Sequence, residues 1–108
     1  MEINLVYMTT GDKEEARKIG RVLVESRLAA CVNIIDPMVS IYRWEGKIQD
    51  DQEIVMIAKT TAENVPALTD TVKSLHSYAC PCIVCLPVIN GHEPFLAWVQ
   101  EQVRNDRS

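Results

Sequence analysis

The feature that most constrains the fold is a long pair of extended segments that turn at Glu45-Gly46. The outgoing segment is Val39–Trp44, and the return passes through the polar stretch 48–53 into the apolar run Ile54–Ala58. Gly46 supplies the positive φ that a tight hairpin needs. Because the hairpin is long for a small domain and its tip is polar, we expect the tip to project past the core and to be covered elsewhere.

A strand and a helix are predicted before this hairpin. Residues Ile3–Met8 predict a strand with apolar side chains on both faces, and Asp12 with Glu15 predicts a capping box at the start of a helix. Small and apolar residues then recur at helical spacing, at Ala16, Ile19, Gly20 and Leu23. Because Gly20 lowers helix propensity, its place in this stripe predicts close packing on a sheet.

The segments around and after the hairpin complete an alternating order. A strand is predicted over residues 30–35, up to an interruption at Asp36-Pro37, and a second helix begins within residues 61–66. Residues Cys82–Ile89 predict the next strand. Pro94 predicts the start of a final helix with one apolar face, formed by Phe95, Trp98, Val99 and Val103.

The resulting order is βαββαβ with a C-terminal helix. It predicts a single α+β domain over residues 1–108, a ferredoxin-like sandwich with an antiparallel sheet and two helices on one face. Within the return strand, the apolar Ile54 and Met56 alternate with the equally apolar Val55 and Ile57. A sheet face that is apolar but carries no helix predicts a partner. A closed cyclic oligomer would cover this face and the free edge of the hairpin.

Composition excludes several classes of protein. The formal charge of -4 and the scattered eleven Lys and Arg argue against a nucleic-acid partner, which would require a basic stripe. No run approaches the roughly 18 apolar residues of a membrane span, and the N-terminus lacks the basic and apolar blocks of a signal peptide. We therefore expect a cytoplasmic protein without a membrane partner, whose four cysteines are mostly thiols.

The candidate metal ligands are soft side chains near the end of the second helix. They are His76, Cys80 and Cys82, with Met8 as a weaker addition. Cys80 and Cys82 share a face of an extended segment, whereas the alternation of side chains turns Cys85 away from Cys82. Three soft ligands would suffice for Cu(I). In the alternative, His76 is hydrogen-bonded at the helix end and the cysteines pack in a strand between subunits.

A second candidate site is a polar cleft between subunits, lined by Tyr42, Trp44, Glu53, Lys59 and Tyr78. Such a cleft could hold a small molecule or an ion. In the alternative, the aromatic rings cover the subunit junction and the charges are solvated or form salt bridges. We expect no enzyme, because no carboxylate or amide stands beside His76 in the sequence to orient its ring, and the glycines form no phosphate loop.

Several separated motifs occur in one order along the chain. They are Arg27-Leu-Ala-Ala-Cys-Val-Asn33, Tyr42-Arg-Trp-Glu-Gly-Lys47, Glu53 with Lys59-Thr60, and Leu75-His-Ser-Tyr-Ala-Cys-Pro81 before Leu86-Pro-Val88. In these motifs the chain resembles the CutA family, the divalent-cation tolerance proteins. The resemblance implies a cytoplasmic, ferredoxin-like homotrimer whose long hairpins pair with neighbouring subunits. It also implies a link to copper or another divalent cation.

The chain departs from the family pattern in one segment. The family usually has His-Pro-Tyr-Glu-x-Pro-Glu where this chain has His76-Ser-Tyr-Ala-Cys-Pro-Cys82, so two carboxylates are replaced. Cysteine favours soft ions such as Cu(I) or zinc over magnesium or calcium. Two functions remain open. One is a trimer that binds or senses metal ions, and the other is a trimeric signalling or scaffold protein similar to the PII-type regulators, which binds a small anion in its intersubunit clefts or a protein partner.

Overall fold

Residues 2–104, which this computed structural model describes, form four strands and three α-helices. The strands are β1 (Ile3–Thr10), β2 (Cys31–Trp44), β3 (Lys47–Thr61) and β4 (Ile83–Val88). The helices are α1 (Lys13–Glu25), α2 (Val65–Leu75) and α3 (Glu93–Val103), and a short 3-10 turn over Ala62–Asn64 precedes α2. The predicted βαββαβ order with a C-terminal helix is confirmed. The ends of the predicted domain, residues 1 and 105–108, lie outside the described residues.

The four strands form one antiparallel sheet in the order β2-β3-β1-β4. Met8 of the central strand β1 is paired with Met56 on one side and with Ile83 on the other. Alternate residues of β1 and β3 point toward α1 and α2, which contribute fully buried side chains at Ile19, Leu23, Leu68 and Val72. A Cβ at Gly20 would lie 3.4 Å from Val32, which confirms the predicted close packing of α1 on the sheet.

The start of α1 differs from the prediction. Asp12 occupies the N-cap position, but its side chain forms no capping hydrogen bond. The Glu15 carboxylate instead accepts hydrogen bonds from the backbone N–H and the hydroxyl of Ser77. The predicted capping box is therefore wrong, because a tertiary contact uses the carboxylate that the local motif needs.

The last helix, α3, packs on the sheet face opposite α1 and α2 and covers only one end of it. Val99 and Val103 are buried there against Ile3, and Leu96 packs beside them. Phe95 and Trp98 instead remain exposed by 41% and 42%, with their ring centroids 5.6 Å apart. Val99 and Val103 of the predicted apolar face are thus buried, whereas Phe95 and Trp98 are not covered within the chain, because the buried stripe follows the i, i+3, i+7 spacing of residues 96, 99 and 103.

The outer halves of β2 and β3 form the predicted hairpin. The interruption at Asp36-Pro37 is a cis peptide within a register shift between Ile35 and Met38, and β2 continues past it. At the turn Glu45 has φ 51° and Gly46 has φ 79°, as a two-residue type I′ turn requires. These two positive φ angles confirm the tight turn at Glu45-Gly46. The molecule is 48 Å long and 21 Å across its shortest axis.

Many apolar side chains on the sheet and hairpin lack cover from the described residues. Seven of them are more than half exposed: Ile35, Val84 and Leu86 on the sheet face opposite α1 and α2, and Val39, Ile41, Trp44 and Ile48 on the hairpin. The register of β2 with β3 places Val39, Ile41 and Ile48 on one side of the ribbon and Trp44 on the other. None of the described helices is long and apolar enough to cross a membrane.

Candidate functional site

The ends of three elements meet where β1 finishes. Thr9 is near the end of β1, His76 follows α2 directly, and Cys82 precedes β4. Nε2 of His76 lies 2.7 Å from the Thr9 carbonyl oxygen, and the Tyr78 backbone N–H donates to Nδ1 over 3.0 Å. Because Nδ1 accepts a hydrogen bond, Nε2 carries the proton and donates it to Thr9. The imidazole side chain is fully buried, so both of its nitrogens are committed to the backbone.

A carboxylate from α1 contacts the loop that joins α2 to β4, residues 76–82. The two oxygens of Glu15 accept hydrogen bonds of 2.8 Å from the Ser77 backbone N–H and hydroxyl. One of these oxygens also lies 3.4 Å from Nδ1 of His76. Sequence reasoning missed this residue, because 62 positions separate Glu15 from Ser77 and no local pattern links them. The fold thus brings to His76 a carboxylate that the neighbouring sequence positions do not supply.

Tyr78 connects this loop to the hairpin. Its hydroxyl donates to Oε2 of Glu53 over 3.0 Å, and the Ser40 hydroxyl donates to the other carboxylate oxygen over 2.6 Å. Partial burial and the adjacent Glu53 carboxylate raise the pKa of Tyr78 to about 12. The phenol also closes over Gly11, where an added Cβ would lie 2.8 Å from the hydroxyl oxygen. Glu53 and Tyr78, two of the predicted cleft residues, are thus in direct contact.

The other predicted cleft residues lie farther along the hairpin and the sheet. The Tyr42 hydroxyl donates to Asp51 over 2.8 Å, and this hydrogen bond raises the pKa of Tyr42. Trp44 lies half-exposed beside the turn. Lys59 donates to the Asn33 side chain, and six residues of β3, or about 20 Å, separate it from Glu53. Within one chain, therefore, the five predicted cleft residues do not surround a common space.

The predicted metal ligands are also separated. Met8 is fully buried in the core under α1 and α2, whereas Cys80, Cys82 and Cys85 are exposed thiols. His76 has no free nitrogen lone pair, as described above. Within residues 2–104, no three His, Cys, Asp or Glu side chains form a group that could hold a metal ion. The ligand set His76, Cys80, Cys82 and Met8 is therefore not assembled within one chain.

The protonation of Cys82 limits its chemistry. Partial burial and the Glu53 carboxylate raise the pKa of the Cys82 thiol, and a hydrogen bond with Thr9 lowers it in part. Burial also raises the pKa of Cys85. Both side chains are therefore neutral thiols at pH 7, and a bound metal ion would have to displace their protons.

Comparison with known proteins gives the family. A family model described as "CutA1 divalent ion tolerance protein" matches residues 4–102. The chain belongs to the CutA1 divalent ion tolerance family. The match confirms the resemblance that the sequence motifs indicate, and it spans β2, β3 and β4 and all but one residue each of β1 and α3.

Individual CutA proteins are similar over most of this chain. The divalent-cation tolerance protein CutA of Thermus thermophilus is 46% identical over 90% of this chain and 94% of its own length. Protein CutA of Homo sapiens is 44% identical over 92% of this chain, which spans 55% of the human protein. The solved structure of CutA from Archaeoglobus fulgidus, described as periplasmic, has a TM-score of 0.91 and 44% identity, covering 94% of this chain and 99% of that one.

The family model and the relatives from Thermus thermophilus and Archaeoglobus fulgidus are described by divalent-cation tolerance and not by a catalysed reaction. In this CutA1 family member, the local chemistry of Cys82 and His76 does not favour nucleophilic catalysis by that pair. Nucleophilic catalysis by cysteine needs a thiolate and an accessible base. Here Cys82 is held as a thiol and the nearby His76 has both nitrogens committed.

Proposed function

We propose that this chain acts in divalent-cation tolerance as a cytoplasmic homotrimer, and that it binds a soft metal ion through Cys80 and Cys82. The observation that carries the proposal is the pair of exposed thiols on either side of Pro81, in a member of the CutA1 family. Thiolates prefer copper as Cu(I), with zinc as the other soft candidate. The proposal assigns no catalytic role to the chain.

The proposed ligand set is narrower than the set predicted from the sequence. His76 is left out because both ring nitrogens form hydrogen bonds to the backbone, and Met8 because it is fully buried in the core. Cys80 and Cys82 remain because metal can reach both thiols from solvent. A third ligand from a neighbouring subunit would complete a three-coordinate site.

The proposed trimer explains the apolar surface left open in one chain. The strand order β2-β3-β1-β4, with α1 and α2 on one face, agrees with the predicted ferredoxin-like sandwich. Its two edge strands and its uncovered apolar face would be paired and buried by neighbouring copies. The four cysteines form no disulfide within the chain, which is compatible with the proposed cytoplasmic location.

The metal proposal is tested by anaerobic titration of the reduced, metal-free protein with Cu(I) in the presence of a competing chelator. We expect about one ion per chain in the unchanged protein, and loss of competitive binding when both Cys80 and Cys82 are replaced by serine. The matched control is Cys31→Ser, which removes a thiol from β2. Light scattering of each variant checks that its assembly is unchanged.

Two results would contradict the metal proposal. One is Cu(I) binding by the double variant at the affinity of the unchanged protein. The other is an absence of binding above the chelator in the unchanged protein, which would favour the PII-like alternative with a small anion or a protein partner at the intersubunit clefts.

A further inference from the structure

The loop between β4 and α3 contains the only Asn-Gly pair in the sequence, Asn90-Gly91. We name residues 89–92, which form neither helix nor strand, the β4–α3 loop. The backbone N–H of Gly91 donates to the side-chain oxygen Oδ1 of Asn90 over 2.9 Å. Within residues 2–104, this N–H enters no backbone-to-backbone hydrogen bond. The Gly91 nitrogen is therefore committed to the side chain that precedes it.

This loop lies at the end of the sheet that α3 covers within the chain. Val88, the last residue of β4, is paired with Ile3 and packs on the cluster that Ile3 forms with α3. The hairpin projects past the other end of β1, beyond Thr10. The β4–α3 loop therefore lies apart from the apolar hairpin that we assign to neighbouring copies, and both partners of the Gly91 hydrogen bond belong to one chain.

The other described asparagines are held differently. Asn4 and Asn33 lie in β1 and β2, and Asn64 directly precedes α2. A Leu, an Ile and a Val follow them, so a branched side chain crowds the backbone nitrogen behind each one. The side chains of Asn33 and Asn64 are also hydrogen-bonded to other side chains. Among the described asparagines, Asn90 alone precedes a glycine and has its side chain turned to the next backbone N–H.

These contacts bring a nucleophile next to an electrophile. The Gly91 nitrogen lies 2.9 Å from Oδ1, which is bonded to the Asn90 Cγ that this nitrogen can attack. Attack joins the nitrogen to Cγ and closes a succinimide ring. The N–H proton passes by way of water to Nδ2, which leaves as ammonia. Gly91 favours this closure because it has no Cβ to crowd the ring and can adopt the backbone angles that the ring requires.

We propose that Asn90 is a site of spontaneous deamidation through a succinimide formed with Gly91. One water molecule then opens the ring. Opening at Cγ leaves an aspartate side chain on an unchanged main chain. Opening at the backbone carbonyl carbon leaves isoaspartate, in which the main chain runs through Cβ and Cγ. The reaction uses water and the chain alone, so it is independent of the proposed thiol site.

The isoaspartate product alters the connection to α3. It adds one carbon atom to the main chain between β4 and the helix, and it places a free carboxylate beside the lengthened link. The helix is anchored a few residues later, where Leu96 packs beside the buried Val99 and Val103. We expect the lengthened connection to loosen this packing, whereas aspartate at the same position keeps the original main chain.

The first test incubates the intact assembly at mildly alkaline pH and follows each asparagine by peptide mapping with mass spectrometry. Asn90 should convert to aspartate and isoaspartate about tenfold faster or more than Asn4, Asn33 and Asn64 in the same sample, a difference of about 1.4 kcal/mol in the activation barrier. Conversion of Asn90 at the rate of these three asparagines, or no conversion, would overturn the proposal.

A pair of variants on either side of Asn90 tests the succinimide route. Gly91→Ala adds a Cβ at the attacking residue and should slow the reaction by about tenfold or more. This Cβ would lie 3.4 Å from the flexible Leu96 side chain, and circular dichroism checks that the fold is kept. The control, Ile89→Ala, changes a side chain that is 95% exposed and takes no part in the ring, so the rate should be nearly unchanged. Equal slowing by the two variants would contradict the route.

Hydrogen exchange of the α3 amides measures the consequence. The isoaspartate form, separated by chromatography after incubation, is compared with the variant Asn90→Asp, which carries the same charge on an unchanged main chain. The α3 amides should exchange faster in the isoaspartate form, because its connection to β4 is longer. Equal exchange in the two proteins would overturn the proposed effect on α3.

Discussion

The helix-covered body of the sheet and the projecting hairpin share two strands, β2 and β3, but differ in what covers them. In β3, Ile54, Val55 and Met56 are buried, whereas Ile48 is exposed a few residues earlier. On the partner strand, Val39 and Ile41 are equally open. The helix side of the body therefore draws its stability from contacts within the chain, whereas the hairpin carries apolar surface that none of the described residues buries.

The largest change in the free energy of unfolding is expected from a substitution in the buried core of the body. Leu23→Ala removes a fully buried side chain of α1 and should lower the free energy of unfolding by about 2–5 kcal/mol, through lost burial and a residual cavity. Chemical denaturation measures it, at matched concentrations because assembly contributes to stability. The control is Val24→Ala at the adjacent, exposed position, which should cost less than about 1 kcal/mol. Equal costs would show that the body is not the stable unit.

A substitution in the hairpin should weaken association between copies and leave the folding of the chain intact. A charge introduced by Ile41→Asp lies on an exposed apolar surface, so the chain should still fold but its association with other copies should weaken strongly. Circular dichroism reports whether the chain is folded, and sedimentation velocity reports whether it associates with other copies. The matched control is Gln52→Asp, on the residue that pairs with Val39 on the same side of the ribbon. If Ile41→Asp unfolds the chain without dissociating it, the contrast between the two regions is wrong.

The fold was largely predictable because its signals are local. Gly46 marks the turn, Pro94 marks the start of α3, and Gly20 marks the close approach of α1 to the sheet. The predictions that failed concern residues whose contacts are decided by tertiary packing and not by the neighbouring sequence. An apolar pattern at Phe95 and Trp98 does not reveal which flank of α3 meets the sheet.

The site was predictable only in part. His76 was identified from its position at a helix end and Tyr78 as a residue of the predicted cleft, and the alternative of a hydrogen-bonded His76 is the one that the geometry supports. The role of Glu15 was missed, because its contact with Ser77 depends on the packing of α1 beside the loop. Metal binding by Cys80 and Cys82 stays a prediction, since a thiol pair has the same sequence whether it binds metal or packs against a partner.

A smaller loss of stability is expected when Glu15 of α1 is changed, since its carboxylate hydrogen-bonds to Ser77 in the loop before β4. Glu15→Gln keeps one acceptor oxygen but removes the charge that accepts two hydrogen bonds from Ser77. The free energy of unfolding should fall by about 1–2 kcal/mol, the scale of hydrogen bonds to a charged group. Glu14→Gln, an exposed change of the same charge one residue away, should have little effect. If the two variants lose the same stability, Glu15 does not act through Ser77.

The smallest effect concerns Tyr78, where the body meets the hairpin. Its pKa is raised from 10 to about 12, so its contribution to stability is complete below pH 10 and is lost as the pH rises from 10 to 12. Tyr78→Phe should therefore lose stability less steeply than the unchanged protein over this interval. Absorbance of the tyrosinate gives the pKa directly. Glu53→Gln should lower the pKa of Tyr78 part of the way toward 10, and an unchanged pKa would exclude Glu53 as a cause.

The most direct test of the contrast between body and hairpin is the mass of the particle in solution, followed by light scattering through a dilution series into the low micromolar range. Three chains per particle throughout the series is the predicted result, since the open sheet face and the hairpin then find their cover in neighbouring copies. A folded, monodisperse monomer of the unchanged protein would contradict it, because no neighbouring copy would then cover the apolar residues of the hairpin and the open sheet face.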